Sequence, residues 1–347
     1  MKIEIIENKE EWTEFLSLIK TYDCYHTYDY HCLAKSDNEI PVLLKYEHLD
    51  VLIGIPFLIR YVYNTDYKDL TSVYGYGGPL SKGVTDNFDN ETFKTELIKF
   101  LKLNNFVTAF SRLNPFIKNQ HEILSNLGTT LSKGKIVNID ITKDLEVQRS
   151  NYQSRLKTYV NKSRRNCLIK KASSKEDLDE FIDIYYENMK RLKAEDFYFF
   201  NKSYFQKLVD STDFKTEILL GIDKETNKTI AGCLFITSNG IVQYHLSGSK
   251  TEFLNRTPIK LLIDEMRITA SGKGHKYFNL GGGVGARQDD SLFNFKSAFS
   301  KDFKDFYLWK LIVNQEVYNE LVSSTDVIED SDYFPLYRSI KDLTIKK

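Results

Sequence analysis

Cysteine is scarce in this sequence of 347 residues. The four present, Cys24, Cys32, Cys167 and Cys233, form no CxxC pair and have no histidine at zinc-finger spacing, so they are expected to be ordinary reduced, partly buried thiols. Long apolar runs are also missing. No stretch approaches the roughly 18 residues of a membrane span, and the opening segment MKIEIIENKEEW lacks an apolar core of signal-peptide length. The expected location is the cytoplasm. Net charge is absent too, because 48 Lys and Arg balance 48 Asp and Glu. No global field draws the chain toward nucleic acid or a membrane surface, so a polyanion would have to be met locally.

Common catalytic signatures are missing as well. There is no GxxxxGK[ST] phosphate loop, no HExxH and no GxSxG. Gly283-Val284-Gly285 begins like a dinucleotide fingerprint, but Gln288 stands where that fingerprint needs glycine or alanine. Metal and covalent serine chemistry thus lose their usual signatures, and a Rossmann domain is not supported.

What the chain does have is apolar content, 41% hydrophobic and 14% aromatic, ample for packed cores in two domains. It also has a repeat of pattern. Val42–Tyr46, Val51–Arg60 and Ser72–Tyr76 read as strands, the helical period of Phe93–Leu103 follows, and Val107–Leu113 is again a strand. Glu217–Ile222, Ile230–Thr237, Ile241–Leu246, the helix Pro258–Ala270 and Tyr277–Leu280 repeat that β-β-β-α-β order. The expected fold class is α/β (α+β), each domain a mixed, mainly antiparallel sheet flanked by helices, with a break between 1–145 and 146–347.

At the junction, 147–171 reads as a helical segment with eight cations, Arg164 among them, and no acidic residue. Such a run is either a solvated helix face or a connector whose cations face an anionic substrate. Further on, Pro258 suits a first helical turn and makes Thr257 the expected N-cap. Asn255, Arg256 and free amides beside it form a candidate pyrophosphate cradle, which extends over Ser247–Thr257. Strand alternation puts Gln243, His245 and Ser247 on one face and Val242, Tyr244 and Leu246 on the other. His245, at the end of that strand, is the histidine best placed to take a proton from an attacking amine. From Tyr277 to Phe303 a short strand runs into three glycines and then a helix opened by Asp289, Asp290 and Ser291, which reads as the floor of a site.

These residues resemble a family. The order of strand, phosphate-cradling loop, helix and strand is similar to that of the GNAT acyltransferases, and a tandem pair of such units resembles the FemAB group, in particular its FemX-like members. The segments carrying the likeness are LGGG with DDSLFNFKSAFS at 280–300, NQEVYNEL at 314–321, YHLSGS at 244–249, GPL at 78–80, RLNP at 112–115 and LAK at 33–35. The resemblance implies two tandem GNAT-like domains, with Lys35, Arg112, Arg191 and Tyr244 at or near positions that bind a nucleotide-linked sugar precursor. It also places Phe295-Lys296 on a segment important for transfer, with Lys296 stabilising an oxyanion or holding donor phosphate. The YGYGGP run at 74–79 looks more like the FdhC-type sugar N-acyltransferases of surface-polysaccharide pathways, which implies an acyl-coenzyme A donor and a dTDP-linked amino sugar.

The expectation that follows is an N-acyltransferase moving an acyl group from acyl-coenzyme A to the amine of a dTDP- or UDP-linked deoxyamino sugar. His245 is the expected base, with solvent or Asp289 as fallbacks, and no metal is required. Amides near Leu246, Ser247 and Gly248 polarise the thioester, Ser249, Asn255, Arg256 and Thr257 hold the donor, and Tyr74, Tyr76 and Tyr244 offer stacking faces. The alternative is an aminoacyl-tRNA-dependent FemX-like transferase acting on a UDP-linked peptidoglycan precursor. A non-catalytic, degenerate GNAT pair acting as a nucleotide-sugar-binding or scaffold protein is the reading from a different class.

Overall fold

The computed structural model describes residues 2–283, 290–328 and 331–340. In chain order the elements are β1 (Lys2–Ile6), α1 (Lys9–Ile19), α2 (Tyr28–Ala34), β2 (Glu39–His48), β3 (Val51–Tyr61), β4 (Lys68–Thr71), β5 (Leu80–Lys82), α3 (Glu91–Leu103), β6 (Phe106–Arg112) and α4 (Gln120–Ile123). Next come β7 (Thr129–Asp140), α5 (Leu145–Ser150), α6 (Ser154–Asn166), β8 (Cys167–Lys171), α7 (Lys175–Leu192), α8 (Lys202–Asp210), β9 (Lys215–Asp223), β10 (Thr229–Ser238) and β11 (Ile241–Ser249). They are followed by α9 (Pro258–Gly272), β12 (Tyr277–Gly281), α10 (Ser291–Ser297), β13 (Asp302–Ile312) and α11 (Gln315–Ser323).

Two compact units result: Met1–Lys133 with Phe306–Lys347, and Gly134–Asp305. The single break expected at 145 is therefore replaced by two, one within β7 and one within β13. The physical reason for the second is pairing, since Leu308–Ile312 of β13 runs antiparallel to β6 and returns the chain to the first unit.

In the first unit the strand order is β1-β2-β3-β4-β6-β13, antiparallel throughout except for the parallel pair β4–β6. β3 is buried along most of its length, which is why its sequence is a near-continuous apolar run rather than an alternation. α3 buries Phe93, Leu97 and Leu101 against a core that includes Phe57, Phe106 and Trp309. The strand expected at Ser72–Tyr76 is instead Lys68–Thr71. Beyond Thr71 the YGYGGP segment leaves the ladder as Gly75 and Gly78 take φ of 143° and 91°. Side chains hold that loop instead: the Tyr30 hydroxyl donates to the Tyr74 carbonyl at 3.2 Å and the Asn114 amide to the Tyr76 carbonyl at 2.8 Å.

The second unit has the order β7-β12-β11-β10-β9-β8, with β11–β12 its parallel pair. Its core joins Phe235, Val242 and Phe278 of the sheet to Leu262 and Met266 of α9. The basic run at 147–171 is not one helix but the end of α5, the whole of α6 and the strand β8, all inside this unit. Cys24, Cys167 and Cys233 are buried free thiols and Cys32 is partly buried. Among the described residues no helix is long and apolar enough to cross a membrane.

Two buried histidines in the first unit make its stability depend on pH. His26 accepts the Asp23 backbone N–H at Nδ1 (3.0 Å) while Nε2 faces the Gly77 carbonyl at 3.1 Å, which selects the neutral Nε2–H tautomer. His31 points Nδ1 at the Thr27 carbonyl (2.9 Å) and leaves Nε2 buried. Burial pushes His26 down to about 3 and His31 down to about 4. Because both folded values lie below the unfolded value near 6.5, the stabilisation is complete above that pH and is lost as pH falls from there toward 4. At pH 5 the pair should cost about 4 kcal/mol relative to pH 8. Urea denaturation at the two pH values checks this, and equal midpoints would overturn it.

Candidate active site

The centre of interest in the second unit is the parallel pair β11–β12, which shares only three rungs, ending at Gln243↔Asn279. Immediately beyond, both strands bulge. On β11 the register with β10 steps from Phe235↔Tyr244 to Leu234↔Leu246, so His245 is the extra residue. On β12 the register with β7 steps from Asn279↔Asn138 to Gly281↔Val137, which leaves Leu280 extra. Bulges bend strands and re-aim side chains. β11 is buried except at Tyr244, His245, Leu246 and Ser247, the four residues that follow the last shared rung.

The bulge overturns the expected alternation. The Tyr244 and Ser247 hydroxyls hydrogen-bond each other, so Ser247 sits with Tyr244 and not with His245. His245 instead turns Nε2 to the Tyr204 hydroxyl of α8 at 2.8 Å, with the two rings near-parallel. Burial lowers His245 to about 4, so its imidazole is neutral at physiological pH. Burial also raises the Tyr244 phenol well above its ordinary value.

Across the splay, three amides line up at one level of the sheet: Gln243, Asn279 and Asn138, all buried. Asn279 donates to Gln243 Oε1 at 2.8 Å and accepts the Gly281 N–H at 2.8 Å, which fixes the bend where β12 ends. Gly281 has φ of +77°, and a Cβ on it would lie 3.1 Å from Lys296 Nζ. The glycine therefore gives the Lys296 ammonium room to reach the Gly282 carbonyl, 2.7 Å away. Lys296 comes from α10, which Asp290 caps by accepting the Leu292 and Phe293 N–H groups. Burial pulls Lys296 down to about 8. Asn279 and Tyr204 were not singled out from sequence. Asn279 had a signal, a polar residue inside the apolar run YFNL, whereas Tyr204 is one of 22 tyrosines.

Other expected site residues have different surroundings. Thr257 is not an N-cap through its side chain, because its backbone is left-handed (φ 51°) and its hydroxyl is buried without a partner. The loop before it is a 3-10 helix, Thr251–Arg256, and its amides are partly spent: Thr251 N–H on Glu187 and Phe253 and Thr257 N–H on loop carbonyls. Arg256 is tied to Asp223 at 3.0 Å and to Glu225. Asn255 is exposed, and Ser249 is buried. At Gly248 a Cβ would lie 2.8 Å from the Ile184 carbonyl, so that glycine serves the close approach of α7. Arg164 pairs with Asp264 and Glu265, both at 3.0 Å, and Arg191 donates to Asn188 at 2.5 Å. Asp289 lies outside the described residues.

In the first unit, Tyr74 and Arg112 are brought together, with the guanidinium 5.5 Å from the ring centre. Lys35 caps the C-terminal end of α2, its N–H bonded to the His31 carbonyl. Tyr76 packs edge-on against Tyr25 and Phe306 and so belongs to an aromatic cluster.

Topology and splay define an α/β protein in which each unit carries a mainly antiparallel run of strands with one parallel pair, β4–β6 in the first and β11–β12 in the second. No family model matches the sequence, and none of the curated proteins matches it. Solved structures do. FemX superposes with a TM-score of 0.70 at 14% identity, over 92% of this chain and 99% of FemX. A conserved protein of unknown function from Bacteroides thetaiotaomicron gives 0.57 at 10% identity, over 89% of this chain and 100% of its own. The C-terminal domain of a protein described as a lysylphosphatidylglycerol synthetase in Agrobacterium fabrum gives 0.55 at 11% identity, over 91% and 95%. At such identities the likeness is one of fold, and the fold is that of FemX, as the sequence motifs imply.

Proposed function

We propose that the protein is an N-acyltransferase of the cytoplasm that moves an acyl group from acyl-coenzyme A to the amine of a dTDP- or UDP-linked deoxyamino sugar. The observation that carries this reading is the splay of β11 from β12 after Gln243↔Asn279, which leaves the edge of Tyr244–Ser247 without its strand partner and partly exposed. Backbone N–H groups along that edge, near Leu246 to Gly248, polarise the thioester carbonyl. The amine nitrogen bonds to the carbonyl carbon, the C–S bond breaks, the thiolate leaves, and His245 accepts the proton lost by the amine. Lys296, still largely an ammonium at neutral pH, holds negative charge near the bend of β12. Arg256, engaged by Asp223 and Glu225, is not given a phosphate role.

The test is a thiol-release assay crossing a small acyl-coenzyme A panel with dTDP- and UDP-linked amino sugars, with product mass checked. Absence of thiol release, with the sugar nucleotide bound in calorimetry, would replace the enzyme by a binding protein. His245→Ala should cut turnover at least about a hundredfold with acceptor affinity little changed. With His245 near 4 in the free protein, the acid limb of kcat/KM that His245 contributes should lie close to pH 4 and not near 6.5. An unchanged rate in the variant would remove His245 as base.

One observation favours transfer from aminoacyl-tRNA. Lys162 and Arg165 on α6 are exposed and, among the described residues, have no ion pair, which suits a local polyanion contact. Activity that falls steeply between low and moderate salt and requires charged tRNA would select this reading.

A further inference from the structure

The His245 imidazole and the Tyr204 hydroxyl lie 2.8 Å apart at Nε2, with the ring centres 6.4 Å apart and the planes within 22°. A contact of that length is a full hydrogen bond, so Nε2 is engaged. Of the two groups the phenol is the better donor and a neutral imidazole nitrogen the better acceptor. A tyrosine that donates to Nε2 leaves the single proton of the neutral ring on Nδ1. In that tautomer neither nitrogen can take a proton from a substrate directly. Nδ1 already carries one, and the Nε2 lone pair points at Tyr204.

Tyr204 is held in this position from several sides. Its backbone N–H is accepted by the Asn201 side chain, the cap of α8, at 2.9 Å. Its ring stacks on Phe200, with centres 4.1 Å apart and planes within 12°. The Phe200 carbonyl in turn accepts the Tyr186 hydroxyl of α7. The next residue, Phe205, is fully buried and meets Phe181 and Tyr185 of α7 edge-on, which anchors α8. Across the bond, His245 is fixed as the extra residue of the β11 bulge. Tyr204 itself is only half-buried, and a phenol oxygen that donates keeps lone pairs with which to accept.

We infer that Tyr204 is a proton relay between the acceptor amine and His245. As the amine nitrogen bonds to the thioester carbonyl carbon and the C–S bond breaks, the amine proton passes to Tyr204 Oη while the Tyr204 proton passes to His245 Nε2. The phenol ends neutral, as it began. The imidazole ends as imidazolium, and the departing thiolate carries the balancing negative charge. The relay rests on the proposed acyl transfer with His245 as base, and adds to it the group that touches the amine.

Two measurements on the full chain test it. Two-bond proton–nitrogen correlation spectra of the histidine rings report the tautomer without any substrate, the His245 signals being assigned by their loss in His245→Ala. The Nδ1–H form is expected. The Nε2–H form, which leaves Nδ1 to accept directly, overturns the relay. Thiol release is then compared in Tyr204→Phe, His245→Ala and the double variant. Tyr204→Phe keeps the ring and its stack on Phe200, so the melting midpoint should stay at the wild-type value. Its kcat should fall at least about tenfold with the KM for the amine little changed. The double variant should be no slower than His245→Ala alone, because two groups on one proton path act as a unit. A tyrosine that only packs would add its own loss to that of His245, and that outcome overturns the relay. Loss of activity in His245→Ala with full activity in Tyr204→Phe rejects the relay alone. Full activity in both rejects His245 as base, and the relay with it.

Discussion

Asp264→Ala should lower the stability of the protein by about 3–5 kcal/mol, the loss expected when one partner of a buried ion pair is removed. Asp264 and Arg267 of α9 are 1% and 2% exposed. The carboxylate accepts from Arg267 Nη2 at 2.9 Å, from the Tyr152 hydroxyl at 2.9 Å and from Arg164 Nη2 at 3.0 Å. Arg267 also reaches Gln148 of α5 at 3.0 Å, so the Asp264–Arg267 pair ties α5 and α6 to α9. Without the carboxylate the Arg267 charge stays buried and unpaired. Arg164 is more exposed and can be hydrated, so it contributes less to the loss. Asp264→Asn keeps one acceptor oxygen and should lose less. The double change Asp264→Leu with Arg267→Met should recover most of the stability, because a packed apolar pair replaces a desolvated ionic one. Urea denaturation measures all three. A loss under about 1 kcal/mol in Asp264→Ala would mean that the network contributes little beyond packing.

That network also shows where the amino-acid pattern stops being informative. The cations at 147–171 are plain in the sequence, but their partners Asp264, Glu217 and Asp177 lie on other elements and are set by packing. Of that basic run, Arg149, Arg164, Lys170 and Lys171 are thus spent on ion pairs within the unit, although most of its cations remain exposed. The strands β2, β3, β9, β10 and β12 were legible because alternation and apolar runs are local properties. β13 was not, since its assignment to the first unit depends on pairing with a strand nearly two hundred residues earlier. The bulge at His245 was equally invisible: a one-residue slip leaves the letters unchanged and turns every following side chain to the other face. At Lys296 the residue type could be read, but the Gly282 carbonyl it meets could not.

Lys296→Met should lower kcat by about 10²–10³, the usual cost of losing one donor aimed at developing negative charge. The side chain is 8% exposed, held by the Gly282 carbonyl, and has a flexible stem that methionine can replace without opening a cavity. Folding should therefore survive, which a circular dichroism melt verifies. The pH profile separates two roles. Burial brings Lys296 to about 8, so an ammonium that stabilises charge is present below that pH and is lost above it. The rate should fall as pH rises through 8, and this limb should vanish in Lys296→Met. A rate that rises through 8 would instead make the neutral amine a proton acceptor and displace His245 from that role. Lys296→Arg sharpens the distinction. An arginine keeps its charge at every accessible pH, so it should retain part of the activity and move the basic limb upward. If the buried position simply needs a cation for packing, Lys296→Arg would preserve stability while leaving the limb at 8.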